Sequence, residues 1–263
     1  MTTHSTPPAY FTRYENLAFE RTDDGVLTLR FHTNGGPITF TGQTHQDLPQ
    51  ALEEIAFDRD NRALLITGTG DVFMNAIDGA SLGEIFKPAH MEKIRREGIT
   101  VLQRLVDLPM PVVGVANGPA TVHSEYLLLA DIHLASERAT YGDFAHPAFG
   151  ITAGDGLQVV WEEVAGPARA KWLLWTGETI DARTAEQWGV VNEVLPHDQV
   201  LARGREIAHA LAAKPDLYRR LQRQTLNQRL RRRIAEGVPF GMALEGLTAA
   251  DLPYQTSEGR GEA

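Results

Sequence analysis

The sequence predicts an α/β fold with a mainly helical C-terminal third. Three apolar runs, at 62–67, 111–116 and 131–136, have the length of buried strands and lead into loop-like segments. Segments with apolar residues at helical spacing separate these runs, and the helical pattern dominates beyond residue 156. The order strand, helix, strand, helix, strand is that of an α/β protein.

The remaining elements have their own signals. Two strands, 16–21 and 26–33, flank Asp23-Asp24-Gly25, because Asp-Gly supplies the positive φ angles of a tight hairpin. A helix is predicted at 44–58, and we expect Pro49 in its first turn, where proline is tolerated. Further helices are predicted around 94–105 and 125–129, then at 158–164, 168–175, 181–188, 198–213 and, with breaks, 216–250.

Composition and charge exclude several classes of protein. The 263 residues are 43% hydrophobic, which suffices for a sizeable core, and include no cysteine, so disulfides, thiolate nucleophiles and Cys-ligated metals are excluded. A net charge of −9 disfavours nucleic acid and anionic membranes as partners. Residues 1–10 are polar, and no apolar run approaches the roughly 20 residues of a membrane helix. We therefore expect a cytoplasmic protein without a signal peptide.

Four segments follow one another between about residues 15 and 250: 63–68 (Ala-Leu-Leu-Ile-Thr-Gly), 73–78, 111–119 and 176–182. In this order they resemble the crotonase (enoyl-CoA hydratase/isomerase) superfamily, a far more specific signal than any single motif. The resemblance implies a crotonase-like spiral of β-β-α units and a homo-trimer or homo-hexamer. We accordingly expect an N-terminal extension (1–14), an α/β core (15–195), a C-terminal helical trimerisation region (196–252) and a flexible tail (253–263).

Two departures from the hydratase pattern narrow the expected activity. Thr-Val-His-Ser-Glu at 121–125 replaces the usual glycine-rich stretch, and the usual glutamates are not recognisable in the loop 142–156, which is rich in Gly, Pro, Asp and His. This pattern is similar to that of 6-oxocamphor hydrolase and its β-diketone hydrolase relatives within the superfamily. The similarity implies catalytic roles for His146, Asp155, His123 and Glu245.

The implied reaction is the cleavage of a carbon–carbon bond in a small, cyclic β-diketone by water, without cofactor or metal. We expect neutral His146 to take a proton from water while Asp155 orients its ring. His123, together with a backbone N–H near Ile77 or His123, would hold the tetrahedral oxyanion. Collapse would release an enolate, to which His146 or Glu245 returns a proton, leaving a keto acid.

An apolar pocket is expected around the reacting atoms. Candidates for substrate contacts are Phe40, Ile77, Leu82 and Phe149, and Trp161 could also line the pocket. Phe40 corresponds to a tryptophan of the oxocamphor enzyme and cannot donate the hydrogen bond of an indole. Among the nine histidines, none has His-x-His or H-E-x-x-H spacing, so no metal site is predicted.

Other interpretations of single residues remain open. Asp143 competes with Asp155 as the partner of His146, and Asp155 could instead cap the helix that follows it. We leave Glu125 outside the site as a first-turn glutamate, and a solvent-facing position suits Glu245 as well as a catalytic one. Ser81 lies in a G-x-S-x-G pattern typical of serine hydrolases, but no strand leads into it.

Two other functions stay as alternatives: an acyl-CoA hydratase, isomerase or hydrolase, and a catalytically silent crotonase-fold subunit. A cluster of seven arginines on the predicted C-terminal helices is expected to serve assembly: Arg219, Arg220, Arg223, Arg229, Arg231, Arg232 and Arg233.

Overall fold

The computed structural model describes residues 7–258, with side chains through residue 254. The strands are β1 (Leu17–Arg21), β2 (Val26–Phe31), β3 (Ala63–Thr67), β4 (Val112–Ala116), β5 (Ile132–Ser136), β6 (Thr140–Tyr141), β7 (Ile180–Asp181) and β8 (Glu193–Leu195). The helices are α1 (Gly42–Phe57), α2 (Pro88–Asp107), α3 (Glu125–Leu128), α4 (Ala145–Phe149), α5 (Leu157–Ala165), α6 (Pro167–Thr176), α7 (Ala182–Gln187), α8 (His197–Ala212), α9 (Asp216–Leu226) and α10 (Gln228–Glu258). The five predicted strands are all present. The prediction missed β6, β7, β8 and α4, which are too short to show a periodic pattern.

Six strands form one sheet in the order β1-β2-β3-β4-β5-β8. The first two pair antiparallel across the predicted hairpin, and all other neighbours are parallel. Gly25 in the hairpin has a φ of 86°, and a side chain there would meet the carbonyl oxygen of Asp60 at 2.5 Å, so the turn requires glycine. Because β2 to β5 are parallel, the segments that follow them all leave from the same edge of the sheet.

A second, shorter set of backbone pairings joins the segments that leave this edge. Parallel bridges connect Phe40 to Ile77, Met74 to Ala120, and Ala120 to Tyr141. Each turn of the chain therefore contains a strand of the main sheet, a short bridged segment and a helix. This arrangement is the predicted crotonase-like spiral of β-β-α units.

Both faces of the sheet are covered. The larger core lies on the face with α1, α2, α3 and α5 and includes the buried rings of Phe31, Phe73 and Trp161. On the opposite face α8 packs against β2 to β5 through apolar residues that include Val200 and Ala208. Because α8 buries an apolar stripe on the sheet, the first part of the segment predicted for trimerisation belongs to the core.

The described part of the predicted N-terminal extension also packs on the core. Tyr10 and Tyr14 are buried, and their hydroxyl groups donate hydrogen bonds to Asp58 at 3.0 Å and to Glu54 at 2.6 Å. Both acceptors lie at or just after the end of α1, so the extension covers one end of that helix. Residues 1–6 of the extension lie outside the described residues.

Helix α1 begins earlier than predicted, so Pro49 lies inside it and not in its first turn. Thr41 caps the helix by accepting a hydrogen bond from the backbone N–H of Thr44. The expectation for Pro49 was wrong, because the helix that Thr41 caps begins about two turns before the proline. Proline at this place removes the N–H that would bond the carbonyl of His45.

Helix α10 has 31 residues and continues through the first part of the segment predicted as a flexible tail. Residues 259–263 of that segment lie outside the described residues. Helix α10 is long enough to cross a membrane, but its first turns carry four arginines. Neither it nor any other helix within residues 7–258 combines the length and the apolar character needed to cross a membrane.

Most of the seven arginines predicted to serve assembly bind acceptors within the chain. Arg219 and Arg223 are buried. The guanidinium of Arg223 donates to Asp131 at 2.7 Å, to the carbonyl of Val106 at 2.8 Å and to that of Leu108 at 3.1 Å. Four others form ion pairs with acidic side chains of the chain: Arg220, Arg229, Arg231 and Arg233.

Replacing Arg223 by alanine is expected to destabilise the protein by about 3–5 kcal/mol, because Asp131 and two buried carbonyls lose their common donor. Arg205→Ala, at an exposed position of α8, is the matched control and should change the free energy of unfolding by less than about 0.5 kcal/mol. Urea denaturation followed by circular dichroism measures both. Equal midpoints for the two variants would contradict a structural role for Arg223.

Candidate active site

A cavity of about 310 Å³ opens where the segments from the carboxyl edge of the sheet meet α2 and α10. All eight residues that the sequence proposed for the site line it: Phe40, Ile77, Leu82, His123, His146, Phe149, Asp155 and Glu245. The titratable groups lie together, and most of the remaining wall is apolar, with Ile85, Ile94, Val122, Leu157 and Met242. The structure thus brings the predicted residues into one place.

His146 lies in the short helix α4, three residues after Asp143. The carboxylate of Asp143 accepts from the backbone N–H of His146 at 3.3 Å and contacts its ring Nδ1 at 2.9 and 3.0 Å. Asp143 therefore begins the helical turn and orients the imidazole at the same time. Of the two carboxylates considered as the partner of His146, Asp143 makes the direct hydrogen bond.

Asp155 faces the other side of the same ring. Its Oδ2 lies 3.8 Å from Nε2 of His146 and 3.8 Å from Nδ1 of His123. Both distances exceed a hydrogen bond, so the carboxylate lies between the two histidines without binding either directly. The helix-capping interpretation has only weak geometric support, because the backbone N–H of Leu157 lies 3.5 Å from the other carboxylate oxygen.

Two glycines allow the chain to place Asp155 there. A side chain at Gly154 would lie 2.1 Å from the carbonyl oxygen of Gly241 in α10. Gly156 has a φ of 118°, and a side chain would lie 2.1 Å from Leu102 in α2. The turn therefore wedges Asp155 between two helices, which only glycine permits on either side.

His123 occupies the left-handed region of the backbone, with a φ of 47°. Its ring stacks on Tyr126 with centroids 4.8 Å apart and planes within 3°, and lies 4.3 Å from the ring of Phe40. Its Nδ1 lies 2.8 Å from Oε1 of Glu125. The side chain is therefore fixed between two aromatic rings and one carboxyl group.

Glu125, which the sequence interpretation left outside the site, contacts the cavity residue His123. It is fully buried, its Oε2 has no hydrogen-bond partner in the described residues, and burial raises its pKa to about 8. A glutamate in the first turn of a helix normally faces solvent, so the sequence offered no signal for this burial. The left-handed backbone at His123 brings the two side chains together.

The backbone N–H groups of Ile77 and His123, both in the cavity lining, have no hydrogen-bond partner in the described part of the chain. In the bridge between the two segments, Phe40 pairs with the carbonyl of Ala76 and the N–H of Asp78, which leaves the N–H of Ile77 unused. Such unpaired donors at a cavity can stabilise an oxyanion.

Glu245 extends from α10 into the cavity. It is nearly fully buried, and its Oε2 makes no hydrogen bond to residues 7–258. Burial and the nearby Asp155 raise its pKa to about 8. Of the two positions open to it from the sequence, the structure shows the one facing the pocket.

The two histidines have opposite electrostatic surroundings. Burial lowers the pKa of His123 to about 4, so its ring is neutral at neutral pH. Burial alone would also lower the pKa of His146, but Asp155 and Asp143 outweigh it and raise that pKa to about 10. Burial raises the pKa of Asp155 itself. At neutral pH the proton therefore lies on His146.

A further histidine of the cavity, His45 on α1, was not predicted. It is buried, contacts Glu97 through Nδ1 at 2.9 Å, and lies edge-on to Phe40 with ring centroids 6.1 Å apart. Burial lowers its pKa. Only the contact between α1 and α2 brings this pair to the cavity.

Two groups of three residues each have their potential metal-binding atoms within 4.8 Å of one another. The first group is His123, Glu125 and Asp155, and the second is His146, Asp155 and Glu245. A metal ion bound by the second group would have to displace the proton of His146, whose pKa is about 10, because a ligating imidazole is unprotonated. In the first group, Nδ1 of His123 is already bonded to Glu125.

Two residues considered earlier lie outside the cavity chemistry. Trp161 was expected as a possible pocket residue, but it is fully buried in the core and donates to Ser124 at 3.2 Å. Ser81 lies in a 3-10 turn, not after a strand, and its hydroxyl donates to the carbonyl of Asp78 at 2.6 Å. The serine-hydrolase arrangement is therefore absent at Ser81.

The spiral of β-β-α units around this cavity is the crotonase fold. Residues 21–252 match the family model described as enoyl-CoA hydratase/isomerase, and the chain belongs to that family. Among solved structures, a β-diketone hydrolase from the cyanobacterium Anabaena sp. PCC 7120, bound to (S)-3-oxocyclohexyl acetic acid, is 45% identical. The alignment covers 95% of this chain and 100% of that chain, with a TM-score of 0.93.

Other relatives are named as enzymes of coenzyme A esters. The 4-chlorobenzoyl coenzyme A dehalogenase-1 of Arthrobacter sp. is 31% identical over 208 residues, 76% of this chain and 73% of that protein. The crotonyl-CoA hydratase of Syntrophomonas wolfei is 26% identical over 250 residues, 90% of this chain and 95% of that protein. The family is therefore shared by proteins named for different reactions.

The imidazole of His146 is expected to titrate near pH 10, and Asp155→Asn should lower its pKa, because one of the two carboxylates that stabilise the imidazolium is gone. The raised pKa stabilises the folded state fully below about pH 6.5, and this stabilisation is lost as the pH rises through about 10. NMR titration of the histidine signals, assigned with His146→Gln, measures the shift. A His146 signal that titrates near 6.5 in the parent protein would contradict this charge state.

Proposed function

We propose that the protein is a cofactor-independent hydrolase that cleaves a carbon–carbon bond of a small, cyclic β-diketone by retro-Claisen attack of water. The observation that carries the proposal is the largely buried pair of His146 and Asp155, which face each other across 3.8 Å at the polar part of an otherwise apolar cavity. The similarity to a β-diketone hydrolase at 45% identity supports it.

The cavity suits a small apolar substrate. Its volume of about 310 Å³ is at the lower end of the range for ligand pockets. Phe40, Leu82 and Ile94 supply an apolar wall, and the titratable groups lie where a carbonyl would meet them. A ring with two carbonyl groups could therefore fill the apolar part while one carbonyl faces the histidines.

In this proposal a water molecule binds between Nε2 of His146 and Oδ2 of Asp155. At neutral pH His146 carries the proton, so Asp155 is the group that accepts a proton from the attacking water. The raised pKa of Asp155 makes it a stronger base. These roles differ from those expected from the sequence, in which His146 was the base and Asp155 oriented it. Here Asp143 orients His146, and Asp155 is the base.

The remaining steps balance in protons and electrons. Water forms a C–O bond to the carbonyl carbon and gives one proton to Asp155, and the oxyanion is held by His123 and the N–H of Ile77. When the C–C bond breaks, its electron pair forms the enolate, whose carbon takes the proton of His146. Asp155 then returns its proton to His146, and the new carboxylic acid releases a proton to solvent.

An acyl-CoA reaction is the competing function, since relatives with CoA chemistry share the family and the N–H groups of Ile77 and His123 could equally hold a thioester oxygen. The polar groups beside those donors favour the hydrolase. A buried imidazolium with carboxylates on both sides suits the activation of water more directly than the binding of a thioester.

Cyclic 1,3-diketones are expected to be hydrolysed to keto acids without added CoA, which is measured as the loss of diketone absorbance together with identification of the product. His146→Ala and Asp155→Asn should each lower kcat/KM at least about 100-fold, the usual contribution of acid–base groups. Leu221→Ala, at an exposed site of α9, is the control. If none of the cyclic 1,3-diketones tested is hydrolysed and acyl-CoA binds saturably, the competing function would be favoured.

Chelation is expected to leave the turnover of diketones unchanged, because protons and not a metal ion occupy the carboxylate and histidine groups. Activity is measured after dialysis against EDTA and again after addition of Zn²⁺ or Mg²⁺. Loss of activity on dialysis and recovery with one of these ions would show that the reaction needs a metal ion and would contradict this prediction.

A further inference from the structure

We propose that Glu125 is a positioning residue that, as a neutral carboxylic acid, donates a hydrogen bond to Nδ1 of His123 and so keeps the Nε2–H of that ring directed at the substrate oxyanion. This inference rests on the proposed function, because the oxyanion belongs to that reaction. It also assigns a defined task to a buried side chain that the reaction scheme above does not use.

The geometry around Glu125 favours the neutral acid. Its Oε1 lies 2.8 Å from Nδ1 of His123, and its Oε2 is buried with no hydrogen-bond partner in the described residues. An ionised carboxylate would leave a buried charged oxygen without any donor, which is costly. Oε1 can carry the proton and donate it along the short contact to Nδ1.

The protonation of Glu125 decides which nitrogen of His123 carries hydrogen. His123 is neutral at neutral pH, so it has a single N–H. If Glu125 donates to Nδ1, the ring proton must be on Nε2. If Glu125 is ionised, it accepts from Nδ1–H, and Nε2 presents a lone pair that cannot bind an oxyanion.

Nε2 is free for that task. It makes no hydrogen bond to residues 7–258 and is not among the buried atoms without a partner, and the His123 ring lines the cavity. Stacking on Tyr126 and the contact with Phe40 fix the plane of the ring. With the plane fixed, the tautomer alone determines whether His123 donates or repels.

Other titratable groups surround the pair. Tyr126 lies on α3 beside Glu125, and His45 faces the pair from α1. Asp143 precedes α4 and His146 lies on α4. Asp155 faces the pair from the turn before α5, and Glu245 faces it from α10. Burial raises the pKa of Glu125 most, and its own backbone N–H lowers it. Asp143 raises it further and His146 lowers it, with a result of about 8. Glu125 is therefore a neutral acid at pH 7.

The proposal predicts that kcat decreases at alkaline pH. As the pH rises through about 8, Glu125 loses its proton, His123 changes to the Nδ1–H tautomer, and kcat falls. His146 keeps its proton up to about pH 10, so its own titration limits the reaction only at higher pH. Glu245 also has a pKa of about 8 and is the group that must be distinguished from Glu125.

The test compares kcat against pH for the parent, Glu125→Gln and Glu245→Gln on a hydrolysed diketone. The glutamine at 125 cannot titrate and can still donate an N–H to Nδ1, so this variant should keep kcat at pH 7 within about tenfold, the equivalent of one hydrogen bond. Its fall in kcat near pH 8 should move towards pH 10. Glu245→Gln should keep the fall near pH 8. A fall near pH 8 that survives Glu125→Gln would overturn the proposal.

A second measurement does not depend on turnover. In protein labelled with ¹⁵N-histidine, the ring nitrogens of His123, assigned with His123→Gln, should show Nε2–H below pH 8 and change to Nδ1–H above it in the parent. In Glu125→Gln the tautomer should not change across this range. An Nδ1–H tautomer at pH 7 in the parent would overturn the proposal whatever the substrate is. Failure of every diketone with the expected tautomer would instead overturn only the proposed reaction.

Discussion

The cluster formed by His146 and its two carboxylates, Asp143 and Asp155, is the interaction on which the rest of the site depends. Asp143 binds one ring nitrogen directly, and Asp155 faces the other across 3.8 Å. Placing three ionisable groups together away from water is costly unless they balance one another's charge. The imidazolium remains charged because two carboxylates compensate for its burial, and this balance gives the cavity a proton donor and a proton acceptor side by side.

Backbone geometry makes that arrangement possible. The turn that carries Asp155 touches α10 and α2 so closely that its flanking residues must be glycine. The parallel bridges beside the main sheet hold Phe40 and Ile77 next to each other and leave the N–H of Ile77 unpaired. A single slip in these pairings would separate the oxyanion donors from the acid–base pair, so the second layer of the spiral is as important for chemistry as the main sheet.

The same fold supports different reactions in this family, and His123 shows how such a change can arise. Its left-handed backbone, with a φ of 47°, is a conformation that glycine adopts easily and that costs roughly 1 kcal/mol or more in other residues. A side chain at this position places an imidazole in the cavity, where a glycine would present only its backbone N–H. The neighbouring Glu125 and Tyr126 then hold that imidazole in place.

The sequence by itself determined the α/β class, the five long strands, the order of the family landmarks and eight residues that line one cavity. Periodic apolar patterns and local turn signals carry the fold class and the strands, because strands and helices of ordinary length repeat them. The landmarks and the catalytic residues among the eight came from the resemblance of the sequence to the crotonase superfamily. The tertiary structure alone decided the packing of α8 on the sheet, the burial of Glu125 and His45, and the choice of Asp143 as the partner of His146. These features depend on how distant segments meet and on the resulting loss of water around charged groups, which no local pattern records.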